Sequence, residues 1–223
     1  MVTPERLDAL QRGFARLLET HGVAAVDAYP LFDRLAAVHE EPHRHYHTLE
    51  HVGEVLRVAG RLAAISPGNV ALAAWFHDAV YDPTRHDNEE RSAELAVTEL
   101  TALGLDAVTV EAVANLVRAT AHLGGGEPPG DPDARALLDA DLAILGAAPV
   151  RYERYARDIR REYAHVGDAD YARGRVAVLE RFLARPWLYF DALMVLEGDG
   201  PARANLAAER DQLVAEIAAE SAG

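Results

Sequence analysis

The chain has no cysteine among its 223 residues. Disulfides, thiolate metal sites and cysteine nucleophiles are excluded, so any metal must be held by nitrogen and oxygen. There is no lysine either, and all 22 basic residues are arginine. With alanine, valine and leucine abundant, that reads as the coding bias of a GC-rich bacterial genome rather than as function. No apolar run reaches the length of a membrane span. The opening MVTPERLDALQRGF is amphipathic and charged, unlike a secretory leader. The expected location is therefore cytoplasmic, without a membrane partner. Positive charge is in deficit, with a formal net charge of -14. Non-specific nucleic-acid binding needs a basic surface, so nucleic acid is not an expected partner. A small anion remains compatible, because a metal and a few arginines reverse the field inside a pocket. Alternating strand-like runs are scarce.

What is present is helix, and the expected fold class is all-α. Half of the residues are hydrophobic, enough for a sizeable core. Thr3 followed by Pro4 predicts a helix start, with the helix running to about His21. Further helices are expected over 29–40, from a Thr48 cap to about Ile65, and over 69–81, 88–103 and 106–122. The run GGGEPPGDPD at 124–133 is the clearest loop. Helices resume at 133–145, 150–165, 169–184 and 201–219. The last is amphipathic and packs either on the core or on a second subunit, so a homodimer is one of two arrangements the pattern allows.

The most apolar stretch, VALAAWFHDAVY at 70–81, contains His77 and Asp78 side by side. A segment apolar all round reads as a buried helix. A buried His–Asp doublet costs several kcal/mol unless hydrogen bonds or a metal pair it. Consecutive helical residues point about 100° apart, so one ion touches both only near the helix surface between them.

Two more residues share that inward placement. His51, Val55, Val58 and Leu62 recur at helical spacing, which puts His51 on a buried stripe at the helix start. His47 lies one turn earlier. In ARALLDADLAILG the apolar positions are Ala134, Leu137, Leu138, Leu142 and Leu145, and Asp141 falls on their face while Asp139 points elsewhere. A carboxylate on a core stripe needs a cation or donors. His51, His77, Asp78 and Asp141 thus form a candidate metal set. Imidazole and carboxylate donors suit a divalent Mn, Mg, Fe, Co, Ni or Zn. His122, at the end of its helix, lies on the flank of an apolar stripe and is a candidate for substrate contact or a second metal. Glu89 and Glu90 open a helix, where acids also favour the dipole.

The pattern H…HD…D, with His51 in HTLEHVGEVL, the doublet in AAWFHDAVYDP and Asp141 in LLDADLAILG, resembles the HD superfamily of metal-dependent phosphohydrolases. RHYH (44–47), NEERSA (88–93), IRREY (159–163) and ARANL (202–206) are similar to a bacterial group of HD phosphohydrolases. The resemblance implies one helical bundle over 1–223, with its core at about 40–206 and terminal helices packed on it. It places the metal between central helices and implies hydrolysis of a nucleotide or another small phosphate ester by metal-activated water. In that scheme His122 and His47 are candidates to orient substrate or protonate the leaving oxygen. Glu89, Glu90 and Asp82 are candidates to position water. Arg44, Arg85, Arg118 and Arg160 are candidate phosphate clamps, since a guanidinium binds phosphate bidentately. The loop at 124–130 is a candidate cover for the pocket. Two other readings use the same residues: a two-iron oxygenase site drawing on His47, His51, His77, His122, Asp78 and Asp141, and a non-catalytic metal- or nucleotide-binding module.

Overall fold

The computed structural model describes residues 2–121 and 129–222. Among them there are ten α-helices and no strand: α1 Pro4–Glu19, α2 Ala25–Val38, α3 Leu49–Ala59, α4 Pro67–Phe76, α5 Asn88–Ala102, α6 Ala107–Ala119, α7 Pro132–Asp141, α8 Pro149–Glu162, α9 Asp168–Leu183 and α10 Ala192–Ala222. A 3₁₀ turn, Leu142–Gly146, continues α7. Caps set several starts. The side-chain oxygens of Thr3, Thr48, Asp106 and Asp131 accept backbone N–H bonds at the heads of α1, α3, α6 and α7. Gly104, at φ 81°, supplies the left-handed residue that closes α5 before α6.

The apolar run at 67–76 is the central element. Val70 and Leu72 to Phe76 are all buried, and α4 packs against α1, α3, α5, α6 and α7. Trp75 meets Phe14 of α1 and Phe32 of α2 edge-on, with ring centroids 5.0 and 5.6 Å apart. One hydrophobic cluster extends from Phe14 to Leu206. Among the described residues no helix is long and apolar enough to cross a membrane.

Three boundaries differ from the sequence expectation in ways that matter. The helix expected over 69–81 stops at Phe76. His77 caps it, with its own Nδ1 bonded to the Ala74 carbonyl at 2.9 Å. Beyond it the Asp78 and Ala79 carbonyls accept from Arg44 (2.6 and 3.1 Å) instead of continuing the helical ladder. The helix expected to run from Thr48 to about Ile65 ends at Ala59. The C-terminal helix begins at Ala192, with Pro201 inside it. Its first turns lie against the 3₁₀ turn, where Gly146 and Gly198 allow a close approach. A Cβ on Gly198 would stand 2.9 Å from the Tyr189 ring, and one on Gly146 would stand 3.0 Å from the Gly198 carbonyl oxygen. Within the chain, α10 packs on α9 and on the 3₁₀ turn.

Asn205 fixes that contact. Its Nδ2 donates to the Leu145 and Ala147 carbonyls, both at 2.8 Å, and the residue is buried. Asn205→Ala would leave two carbonyls without this donor. A loss of about 1–3 kcal/mol in denaturant unfolding is expected. A change within experimental error would mean that water or a shifted α10 satisfies both.

Candidate metal centre

α3, α4 and α7 bring four side chains to one point. His51 stands in the first turn of α3, His77 and Asp78 at the end of α4, and Asp141 at the last residue of α7. His51 Nε2 is 3.0 Å from His77 Nε2 and 3.0 Å from Asp141 Oδ1. His77 Nε2 is 3.0 Å from Asp78 Oδ2 and 3.5 Å from Asp141 Oδ1. One donor atom from each of the four lies within 4.8 Å of the others. His77 keeps helical backbone angles (φ -55°, ψ -35°) as the cap of α4, and its Nε2 and Asp78 Oδ2 meet at 3.0 Å at the end of the helix.

The fit to a cation rests on two observations. The first is spacing. Nitrogen and oxygen ligands about 2.1 Å from an ion, at right angles to each other, stand about 3.0 Å apart. The second is protonation. His77 Nδ1 donates to the Ala74 carbonyl, so a neutral ring presents the Nε2 lone pair to the cluster. Burial disfavours charge on both imidazoles, yet Asp141 and Asp78 pull His51 upward, and Asp78 and Asp141 pull His77 well upward. Burial likewise opposes ionisation of Asp78, but His77 and then His47 hold its carboxyl well below the usual range. Two imidazolium N–H groups cannot face each other across 3.0 Å. A divalent cation neutralises the same two carboxylates while both rings stay neutral, so the donor set fits a metal of the Mn, Mg, Fe, Co, Ni or Zn kind.

Glu162 forms a second layer. Its Oε1 accepts the backbone N–H groups of His45, Tyr46 and His47 at 2.7, 2.7 and 3.0 Å. Its Oε2 accepts from His47 Nδ1 at 2.7 Å and from the Tyr81 hydroxyl at 2.9 Å. Burial alone would raise this carboxyl; the facing His47 and the backbone donors hold it down to about 2. Glu162 thereby orients His47, whose ring lies 5.8 Å from that of His51. Sequence reasoning missed Glu162, although the signal was present: Tyr152, Tyr155, Ile159 and Glu162 form the buried stripe of α8. A carboxylate on an apolar stripe is the same signature that singled out Asp141.

The remaining sequence candidates divide by position. Arg44 is buried and lies under the cluster. Besides Asp78 and Ala79 it serves the His47 carbonyl at 3.2 Å and Glu41 at 3.1 Å. It braces the chain around Asp78 and has few donors left for a substrate. Arg160 caps α8, donating to the carbonyls of Tyr163 and Val166 and to Asp168. Arg118 forms a two-pronged pair with Glu90, at 2.9 Å for both contacts. Arg85 pairs with Asp87 on the surface. Asp82 closes its own turn by accepting from Thr84. Glu89 is half-buried in the first turn of α5. His122 and positions 124–128 of the expected covering loop lie outside the described residues. Asp139 is fully buried and accepts from the backbone of Phe190 and Asp191, at 2.9 and 2.6 Å. Burial pushes it up to about 6. It ties α7 to the approach to α10 and takes no part in the cluster.

Neither the curated proteins nor the solved structures contain a match to the chain. The HD domain family does match, over residues 48–171. That span is more than half of the chain and contains His51, His77, Asp78, Asp141 and Glu162, and the protein belongs to the HD domain family.

Proposed function

We propose that the protein is a metal-dependent phosphohydrolase acting on a nucleotide or another small phosphate ester. The observation that carries this reading is the convergence of four nitrogen and oxygen donors in a family whose members are generally metal-dependent phosphohydrolases. His51, His77, Asp78 and Asp141 would hold the ion. When bound, a divalent cation supplies a water of lowered pKa and neutralises charge on a phosphoryl oxygen. The protein's own groups do the rest. His47 Nδ1–H is held by the Glu162 carboxylate, so Nε2 is left to accept or deliver a proton at the edge of the cluster. Arg44 holds the backbone of Asp78, and with it the direction of that carboxylate. The buried walls of α3 and α4 keep bulk water from the imidazoles.

The test pairs metal analysis with turnover. Protein purified without a histidine tag is compared with a His77→Ala/Asp78→Ala variant for metal content, then screened for phosphate release with Mn, Mg, Co and Ni. Near-stoichiometric metal and phosphate release, both lost in the variant, are the expected result. Tightly held metal with no release from any ester would instead make the centre structural or sensory.

A further inference from the structure

Tyr81 stands where the turn after α4, the head of α5 and the run at 43–47 meet, and its backbone is held from both sides. Ser92 brackets Val80. Its Oγ accepts from the Val80 N–H at 3.0 Å and donates to the Val80 carbonyl at 3.2 Å. Asn88 does the same for Asp82, accepting from the N–H at 3.1 Å and donating to the carbonyl at 2.9 Å. The Tyr81 carbonyl itself accepts from His43 Nε2 at 2.9 Å. With its own carbonyl and both neighbours bonded, Tyr81 has a fixed backbone and hence a fixed side-chain direction.

That direction is toward His47. The two rings lie 4.2 Å apart at 33°. The Tyr81 hydroxyl donates to Glu162 Oε2, the same oxygen that accepts from His47 Nδ1. Burial and the facing Glu162 carboxylate raise the phenol above its ordinary value, so it remains a donor. Tyr46 meets the same imidazole edge-on, with centroids 5.0 Å apart and planes at 79°. The hydrogen bond to Glu162 alone would let the His47 ring hinge about that contact. A ring on its face and another at its edge remove this freedom, yet the His47 side chain keeps 19% of its surface exposed. A proton donor must be both held and reachable, because a misplacement of about 1 Å costs on the order of 100-fold in rate.

We infer that Tyr81 is a positioning residue: it holds the face of the His47 ring and the carboxylate that orients it, and so keeps Nε2 aimed in one direction at the edge of the metal cluster. This rests on the phosphohydrolase reading above and on the part given there to His47. It also gives the segment at 88–93 a task, since Asn88 and Ser92 aim Tyr81.

The experiment compares wild type with Tyr81→Phe, which keeps the ring and loses the hydroxyl, and with Tyr81→Leu, which loses both. The first measurement is nitrogen NMR of isotope-labelled histidine in the zinc-loaded full chain, which reports the ring nitrogen that carries the proton. Wild-type His47 is expected to show one tautomer, protonated at Nδ1, and Tyr81→Leu is expected to show signals averaged between two. The second is turnover of p-nitrophenyl phosphate with manganese, expressed per bound metal. At unchanged KM and metal content, kcat is expected to fall about two- to tenfold in Tyr81→Phe and about 10–100-fold in Tyr81→Leu. Wild-type His47 signals in Tyr81→Leu would overturn the inference, as would a loss that falls on KM or on metal content instead of kcat. Should Tyr81→Leu not fold, Tyr81→Phe decides, and wild-type kcat in that variant would overturn the inference. If wild type turns over esters and the variants match it, Tyr81 loses its role and the phosphohydrolase reading stands. If wild type releases phosphate from no ester but the His47 signals change as expected, the reading of function fails and the positioning of His47 stands.

Discussion

Asp141→Ala is expected to abolish metal binding and catalysis together while leaving the helical fold intact. Asp141 ends α7 with its Oδ1 3.0 Å from His51 Nε2 and 3.5 Å from His77 Nε2, so it faces both imidazoles of the cluster. Removing an outer-shell partner typically costs 10–100-fold in metal affinity or activity, and loss of a direct ligand should exceed that range. The fold should survive because α7 is held independently of this carboxylate. Asp131 caps its start, Asp139 binds the backbone of Phe190 and Asp191, and Ala134, Leu137 and Ala140 lie in the core. The metal-free variant should therefore keep its far-ultraviolet dichroism. It should lose the rise in Tm that added metal gives wild type, a gain of about 4 kcal/mol when the free ion stands at a thousand times its Kd. Asp141→Asn keeps the shape and one oxygen but not the charge, and should retain weak binding. Stoichiometric metal in Asp141→Ala would show that the other donors suffice and that the assignment of Asp141 as a ligand is wrong.

Helical phase placed His51 and Asp141 on inward faces, but it also set Asp139 apart from the core, and there the structure corrects it: Asp139 is fully buried, satisfied by the backbone of Phe190 and Asp191, while Asp141 is only partly buried. His77 and Asp78 were legible as a doublet in a buried run, but their common aim was not. His77 keeps helical backbone angles at the end of α4, and from 34 residues away the Arg44 guanidinium holds the Asp78 carbonyl at 2.6 Å. No periodicity within 70–81 reports it. Arg44 itself read as a phosphate clamp because a sequence shows a charge but not the carbonyls that absorb it. Glu162 shows the opposite case. Its position on the α8 stripe was visible, but its meaning comes from the backbone N–H groups at 45–47, more than a hundred residues distant. Tyr46 is the least legible of all. An aromatic beside a helix start is ordinary core material, and only packing reveals that its hydroxyl has no partner.

Glu162→Gln is the second large expected effect, and it separates the layer behind the metal from the metal itself. The Glu162 carboxyl is held at about 2 against an ordinary value of 4.5. That depression corresponds to about 3 kcal/mol of stability contributed by its ionised form at neutral pH. Between pH 4.5 and 2 the unfolded chain binds this proton more readily than the folded one. The contribution is therefore complete above about pH 4.5 and is lost as pH falls toward 2. In the glutamine variant the contribution is missing at every pH, so its stability should be lower at pH 7 and should change less across that acid window. An amide in this place also sets an N–H₂ group against either the backbone donors of 45–47 or the His47 and Tyr81 donors, and one of those sets must lose its acceptor. His47 then loses the fixed tautomer that leaves Nε2 available. Turnover should fall about 10–100-fold, mostly in kcat, while His51, His77, Asp78 and Asp141 keep their metal. Metal content measured beside kcat decides the matter. Activity falling in proportion to bound metal would reduce Glu162 to a brace for the fold, whereas full metal with a depressed kcat and an altered pH profile would mark the Glu162–His47 pair as the proton-handling part of the site.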